Sequence, residues 1–142
     1  MNRGSRRGAV DSPLRTFVLD SEALTAAVRG DRHMGMVMNL ASRGEAEAVT
    51  SPMTIIEAQD GRTRESRWDW VLSRVGVQPV GKDEARQARR LLADAGLHGH
   101  KYAIDAVLAV VALQQQGQVT VFTSDVDDME KLLPPTVLVR KV

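Results

Sequence analysis

Five acidic side chains stand where a carboxylate could do chemistry: Asp20, Glu57, Asp105, Asp125 and Asp128. Asp20 ends a short apolar, β-prone run, Thr16 to Leu19, and Asp125 follows a second such run, Val119 to Thr123, after one serine. Taken singly, either aspartate would pass for a helix N-cap. Glu57 lies in the second turn of a helix that opens at Ser51-Pro52, just after the strand-like Ala48 to Thr50. Its neighbours Ile55 and Ile56 put it at the border of a buried face, although alone it would read as a solvated glutamate. Asp105 is the strongest clue. From Tyr102 to Leu113 every other side chain is apolar, and an ionised carboxylate in such a helix is costly unless paired, hydrogen-bonded or bound to a cation. A first-turn position would offset part of that cost through the helix dipole. The adjacent Lys101 points another way and is no partner. Asp125 and Asp128 share a helix face, whereas Asp127 points to solvent; Thr123 and Ser124 offer hydroxyls that could orient Asp125.

Carboxylates brought together repel one another, so something positive must hold them. Hard oxygen donors in a chain with no cysteine select Mg²⁺ or Mn²⁺ over zinc. Such a site lowers the pKa of a bound water and clamps phosphoryl oxygens, and phosphodiester hydrolysis is the reaction that suits it best.

The elements that must position these acids alternate along the chain. Short β-runs at 16–19, 48–50, 77–80, 119–123 and 136–139 are separated by helical stretches at 22–30, 34–43, 52–61, 65–75, 82–95, 102–115 and 125–133, with no internal repeat. Ser21 is available to cap the first helix and Gly30 to close it. Such alternation demands crossover connections. It predicts a three-layer α/β/α domain over residues 15–142, with a parallel sheet of about five strands and ligands beyond the carboxyl ends of those strands.

Composition narrows the function classes. A chain of 142 residues with 43% hydrophobic content suits one domain. The absence of cysteine excludes a disulfide framework and thiolate chemistry and fits a cytoplasmic setting. No apolar run reaches the about 18 residues of a membrane span, and no secretory signal is apparent. Basic and acidic residues number 19 and 18, so the net charge of +1 does not itself indicate nucleic acid. Residues 1–14, rich in Arg, Gly and Ser, read as a flexible basic tail that either attracts phosphates or is an ordinary leader.

With these residues in place the chain resembles the PIN-domain nucleases, in particular the VapC-like toxins of bacterial toxin–antitoxin pairs. The matching segments are FVLDSEAL around Asp20, SPMTIIEAQ around Glu57, HKYAIDAVLAVVAL around Asp105 and VTVFTSDVDDMEKL around Asp125 and Asp128. Each is short, and their order and wide separation make the set specific. The resemblance implies a five-stranded parallel sheet and Mg²⁺- or Mn²⁺-dependent endoribonuclease activity. It also implies a homodimer and an antitoxin protein that obstructs the acidic pocket. Asp20, Glu57, Asp105 and Asp125 would be catalytic and metal-binding, Asp128 a further metal ligand, and Thr123 or Ser124 would act from behind them.

Other readings compete for some residues. Arg62, Arg64 and Arg67, and likewise Arg86, Arg89 and Arg90, are either phosphate contacts or solvated helix faces. His98 and His100 flank a glycine in a loop before the Asp105 helix, but neither they nor His33 has a third partner in sequence. Trp68 reads as core, and Trp70 as half exposed. Haloacid-dehalogenase-type phosphatases want a second aspartate where this chain has Glu22, and receiver domains want adjacent acids at the first strand end; neither pattern explains Asp105. The alternative from another class is a PIN-fold module that binds RNA or protein without catalysis.

Overall fold

The structure, a computed structural model, describes residues 14–142; the expected basic tail lies, apart from Leu14, outside the described residues. Five strands, β1 (Arg15–Leu19), β2 (Glu47–Thr50), β3 (Gly76–Val77), β4 (Gln118–Thr123) and β5 (Leu138–Lys141), form one sheet. Their order is β3-β2-β1-β4-β5 and every pairing is parallel. Seven helices connect them: α1 (Ser21–Arg29), α2 (Arg32–Ser42), α3 (Pro52–Glu57), α4 (Glu65–Leu72), α5 (Lys82–Ala95), α6 (Gly99–Leu113) and α7 (Val126–Leu132).

Strand alternation builds the two cores. On β1, Phe17 and Leu19 face a layer that includes Leu24, Val28, Met34, Met38, Trp68 and Val71 from α1, α2 and α4. Val18, between them, faces the opposite layer with Val121, Leu92, Leu108, Val110 and Met129 from α5, α6 and α7. The three-layer α/β/α arrangement and the five-stranded parallel sheet are thus as expected. Among the described residues, no helix is long and apolar enough to cross a membrane.

Because the chain leaves β1 first towards β2 and β3 and later towards β4 and β5, the connections diverge between β1 and β4. A crevice opens beyond the carboxyl ends of strands at such a point.

Several boundaries differ from the sequence reading, each for a local reason. The N-cap of α1 is Asp20, not Ser21: its backbone is extended and its carboxylate accepts the Ala23 N–H. Helix α6 starts at Gly99, so Gly99 and His100 are helical rather than loop, with His98 at the cap. Strand β3 stops at Val77 because β2 ends at Thr50, whose carbonyl accepts the last bond of the ladder from the Gln78 N–H. Strand β5 starts two residues late, since a turn from Pro134 to Val137 uses the Val137 N–H. Helix α3 ends at Glu57, short of Gly61.

The turn into β4 requires a glycine. Gly117 has φ +76°, and a Cβ there would run into the Leu14 carbonyl, which accepts the N–H of Gln118. Replacement of Gly117 by Ala is expected to lower unfolding stability by roughly 1–3 kcal/mol, measured by urea denaturation; an unchanged midpoint would show that this turn is not strained.

Candidate active site

The crevice is built around Asp20. It follows β1 directly and is almost fully buried, with 6% of its surface exposed. One carboxylate oxygen, Oδ1, accepts the Ala23 N–H at 2.8 Å, which is the α1 cap; the other, Oδ2, accepts the Ser124 N–H at 3.0 Å from the far side of the crevice. The buried Thr123 hydroxyl adds a third hydrogen bond to the carboxylate. The same hydroxyl oxygen accepts the Asp125 N–H at 3.0 Å. Burial raises the Asp20 pKa, the three hydrogen bonds oppose that, and Glu22 adds a smaller upward push. Thr123 therefore orients both Asp20 and the start of α7. Ser124 acts through its backbone N–H, while its side chain is exposed.

The remaining acids arrive on separate elements. Asp125 is the N-cap of α7 and is exposed; Asp128, one turn on, is half-buried. The Asp125 carboxylate lies beside Asp128, and this contact leads the causes that raise the Asp128 pKa. Lys131, 3.6 Å from Asp128, works the other way. Glu57 is the exposed last residue of α3, a helix packed between α1 and α6. Its neighbour Ile56 is 68% exposed, so the apolar border assigned to it in the sequence is only partial.

Asp105 is half-buried on α6. Because the helix begins at Gly99, Asp105 lies beyond the first turn, and the dipole offset expected from the sequence is correspondingly weak. Nor is α6 buried all round: Ala103 is exposed and Tyr102, Ile104 and Val107 only partly covered. The Asp105 carboxyl is pushed up to about 6, first by burial and then by the charges of Glu57, Asp125, Asp20 and Asp128 in that order. The four other candidate acids thus all lie within electrostatic range of Asp105. Among the described residues, no ion pair reaches Asp20, Glu57, Asp105 or Asp125. Lys101 is drawn instead towards the Tyr102 ring and, more weakly, Asp128 and Asp125.

The side chains are neighbours rather than a finished chelate. Among the described residues, no three His, Asp or Glu side chains already stand in ligating positions about one point. The charges of Glu57, Asp125, Asp20 and Asp128 reach Asp105, but the side chains do not converge on one point. The donor set itself suits a hard divalent cation: it is all oxygen, carries excess negative charge and lacks a basic partner for Asp105.

Among the basic residues weighed in the sequence, Arg67 donates to the Val28 and Ala27 carbonyls at the end of α1 and lies over Trp70, with Arg74 on the same ring. Arg64 is the N-cap of α4. Arg86, Arg89 and Arg90 are exposed along α5. Trp68 is buried and Trp70 is 40% exposed. The sequence reading overlooked Asp60, which binds both Arg29 and Arg62; the close spacing of Asp60 and Arg62 was the available signal.

A family model described as "PIN domain" matches residues 17–132. No curated protein matches the chain. Among solved structures, the fold is similar to a chain of VapBC2 from Rickettsia felis bound to a DNA fragment from their promoter. That likeness has a TM-score of 0.62 and 14% identity, and covers 89% of this chain and 98% of the other.

Two measurements test this geometry. Folded, Asp105 holds its proton up to about pH 6, against 3.8 for an ordinary aspartate. Between those values the folded state binds more protons than the unfolded one, so stability falls as pH rises through the window. The metal-free chain should gain Tm on acidification from about pH 7 to about pH 5, and Asp105→Asn should flatten that gain. Mn²⁺ near neutral pH should raise the Tm of the parent by mass action, and less so that of the variant. Equal pH profiles for the two proteins would place the raised carboxyl elsewhere. Separately, Thr123→Val should cost about 1–3 kcal/mol by leaving buried polar groups unmatched, whereas Ser124→Ala should stay within about 0.5 kcal/mol of the parent. The reverse ranking in chemical denaturation would assign the bridge to Ser124.

Proposed function

The chain belongs to the PIN domain family, and from that membership we propose that it is a divalent-metal-dependent endoribonuclease, the toxin of a type II toxin–antitoxin pair. The observation that carries the nuclease reading is the Asp105 carboxyl, raised first by burial and then by four other acids, and, among the described residues, left without a cationic partner. Acids that raise one another's pKa destabilise the empty fold, and a site that binds a cation there converts the liability into affinity.

In this reading Asp20, Glu57, Asp105 and Asp125 are the catalytic and metal-holding residues and Asp128 an additional ligand. When bound, Mg²⁺ or Mn²⁺ supplies a water of lowered pKa and a clamp on the phosphoryl oxygens of an in-line displacement. The chain's own contribution is positioning. Asp20 cannot rotate freely, because donors from Ala23, Thr123 and Ser124 fix both oxygens. Asp105, pushed up to about 6 first by burial and then by the neighbouring acids, would give up its proton on taking up a cation. The exposed Glu57 and Asp125 leave the crevice open on the side where a strand of RNA enters. Homodimerisation, an antitoxin partner and a cytoplasmic location are part of the same proposal. The likeness in fold to a VapBC complex supports a protein partner.

Asp105→Asn is the clean test, since Asp105 is an N-cap to nothing. It should lower Mn²⁺-dependent cleavage of single-stranded RNA by at least about 100-fold while keeping a cooperative unfolding transition. Asp20→Asn should lose cleavage too, but at a cost in stability of about 1–3 kcal/mol, because its amide nitrogen would face the Ser124 N–H. Parent-level cleavage by purified Asp105→Asn would end the nuclease assignment.

A further inference from the structure

An open polar groove of about 340 Å³ adjoins the acid cluster, and Glu57 lines both. Ser21, Thr25, Arg29, Asp60 and Arg62 line it as well. Asp60 is the organiser. Its Oδ2 accepts from Arg29 Nη2 at 2.7 Å and from Arg62 Nη2 at 3.1 Å; its Oδ1 accepts from Arg62 Nε at 3.0 Å and from the Arg62 backbone N–H at 2.9 Å. Two guanidinium groups are thus gathered around one carboxylate, from α1 and from the loop after α3. The Asp60 side chain is 17% exposed, whereas those of Arg29 and Arg62 are 47% and 80% exposed. Two cations and one anion leave the Asp60 group itself with one net positive charge, and Glu22 and Glu57 line the same groove as further acids.

We infer that Arg29 and Arg62, held in place by Asp60, form an anchoring subsite for a backbone phosphate of the RNA strand whose scissile bond lies at the acid cluster. This rests on the nuclease reading above and specifies how a polyanion is held next to five acids. The chemistry favours a phosphate on three counts. The guanidinium N–H groups not spent on Asp60 can donate to phosphoryl oxygens, and a carboxylate that fixes their planes beforehand reduces the entropy lost on binding. The Ser21 and Thr25 side chains add hydroxyls on the same wall. The continuity with Glu57 puts the clamp along the path of a strand that reaches the acids, and the polar lining is unlike the apolar centre that a docked polypeptide requires. Arg86, Arg89 and Arg90 provide the contrast: they are equally basic but stand along α5 with no carboxylate to organise them and no wall shared with the acids.

The test measures binding of a fluorescent single-stranded RNA over a series of salt concentrations, in an Asp105→Asn background that does not cleave. Arg29→Ala/Arg62→Ala should weaken binding roughly tenfold and reduce the slope of log K against log salt by about 0.7, the value of one phosphate contact. In chains that retain Asp105, the same pair should raise KM for RNA cleavage and leave kcat within about threefold, while Arg86→Ala/Arg89→Ala/Arg90→Ala leaves KM unchanged. Unchanged affinity and slope in the clamp variant would overturn the proposal, as would an equal loss in the α5 variant, which would make the effect one of general charge. Tighter binding of a polyglutamate peptide than of RNA, lost in the clamp variant, would assign the clamp to an acidic polypeptide and also overturn it. If the parent binds RNA through the clamp and cleaves none, the subsite stands and the nuclease reading fails.

Discussion

A single buried carboxylate joins the two halves of the sheet at the place where chemistry is possible. Asp20 caps α1 with one oxygen and receives the Ser124 N–H with the other, so it ties the end of β1 to the end of β4 across the crevice. Around it, Thr50 donates its hydroxyl to the Leu19 carbonyl at 2.7 Å, and Lys141 donates to the Ser124 carbonyl at 2.6 Å. The strand ends are therefore braced from β2 through β1 and β4 to β5. A charge in that position is expensive by burial, and only the three donors aimed at it keep it near its ordinary chemistry. The same bonds that make the burial tolerable also fix the orientation of the carboxylate, so stability and preorganisation have one physical source here.

The other acids are placed on the opposite principle. Glu57 ends α3, Asp125 and Asp128 share the start of α7 and Asp105 lies within α6; all are exposed or half-exposed, and among the described residues none is neutralised by an ion pair except Asp128 through Lys131. Their summed charge raises Asp105 rather than being dispersed to solvent. A fold selected for stability alone would put a lysine or arginine among them. Basic groups are present nearby, but they are occupied at the rim: Arg67 on the carbonyls of α1, Arg29 and Arg62 on Asp60, Lys101 over Tyr102.

Much of this architecture is readable from local rules. Strands that end in Asp20 and near Asp125, Ser51-Pro52 opening a helix, and glycines at 30 and 96 closing two others depend on capping chemistry and backbone preference, which act over a few residues. So does the parallel sheet, because alternating strands and helices leave few other topologies. The misplaced boundaries arise where a neighbour in space decides. Asp20 caps α1 because its side chain is also wanted across the crevice by Ser124, and Ser21, one residue later, is not. Helix α6 starts early although Gly99 favours a loop, since Tyr102 N–H finds the His98 carbonyl and the following apolar residues dock on the sheet.

For the site, the residue types and spacing identified the acids but not their state. The excess apolar character around Asp105 was visible, whereas the size and order of the charges acting on it depend on how α3 and α7 lie against α6, which no local pattern encodes. Asp60 escaped attention for the same reason. In sequence it is a loop aspartate beside a glycine; only the packing of α3 beside α1 brings Arg29 to it over thirty-one residues of chain. Neutralising half of a guanidinium pair looks wasteful for a surface that must attract a polyanion. A pair balanced by Asp60 exerts a weaker field on Glu57 than two bare guanidinium groups would, while the N–H groups not spent on Asp60 stay available. The organising carboxylate thus lets opposite charges work side by side in one crevice.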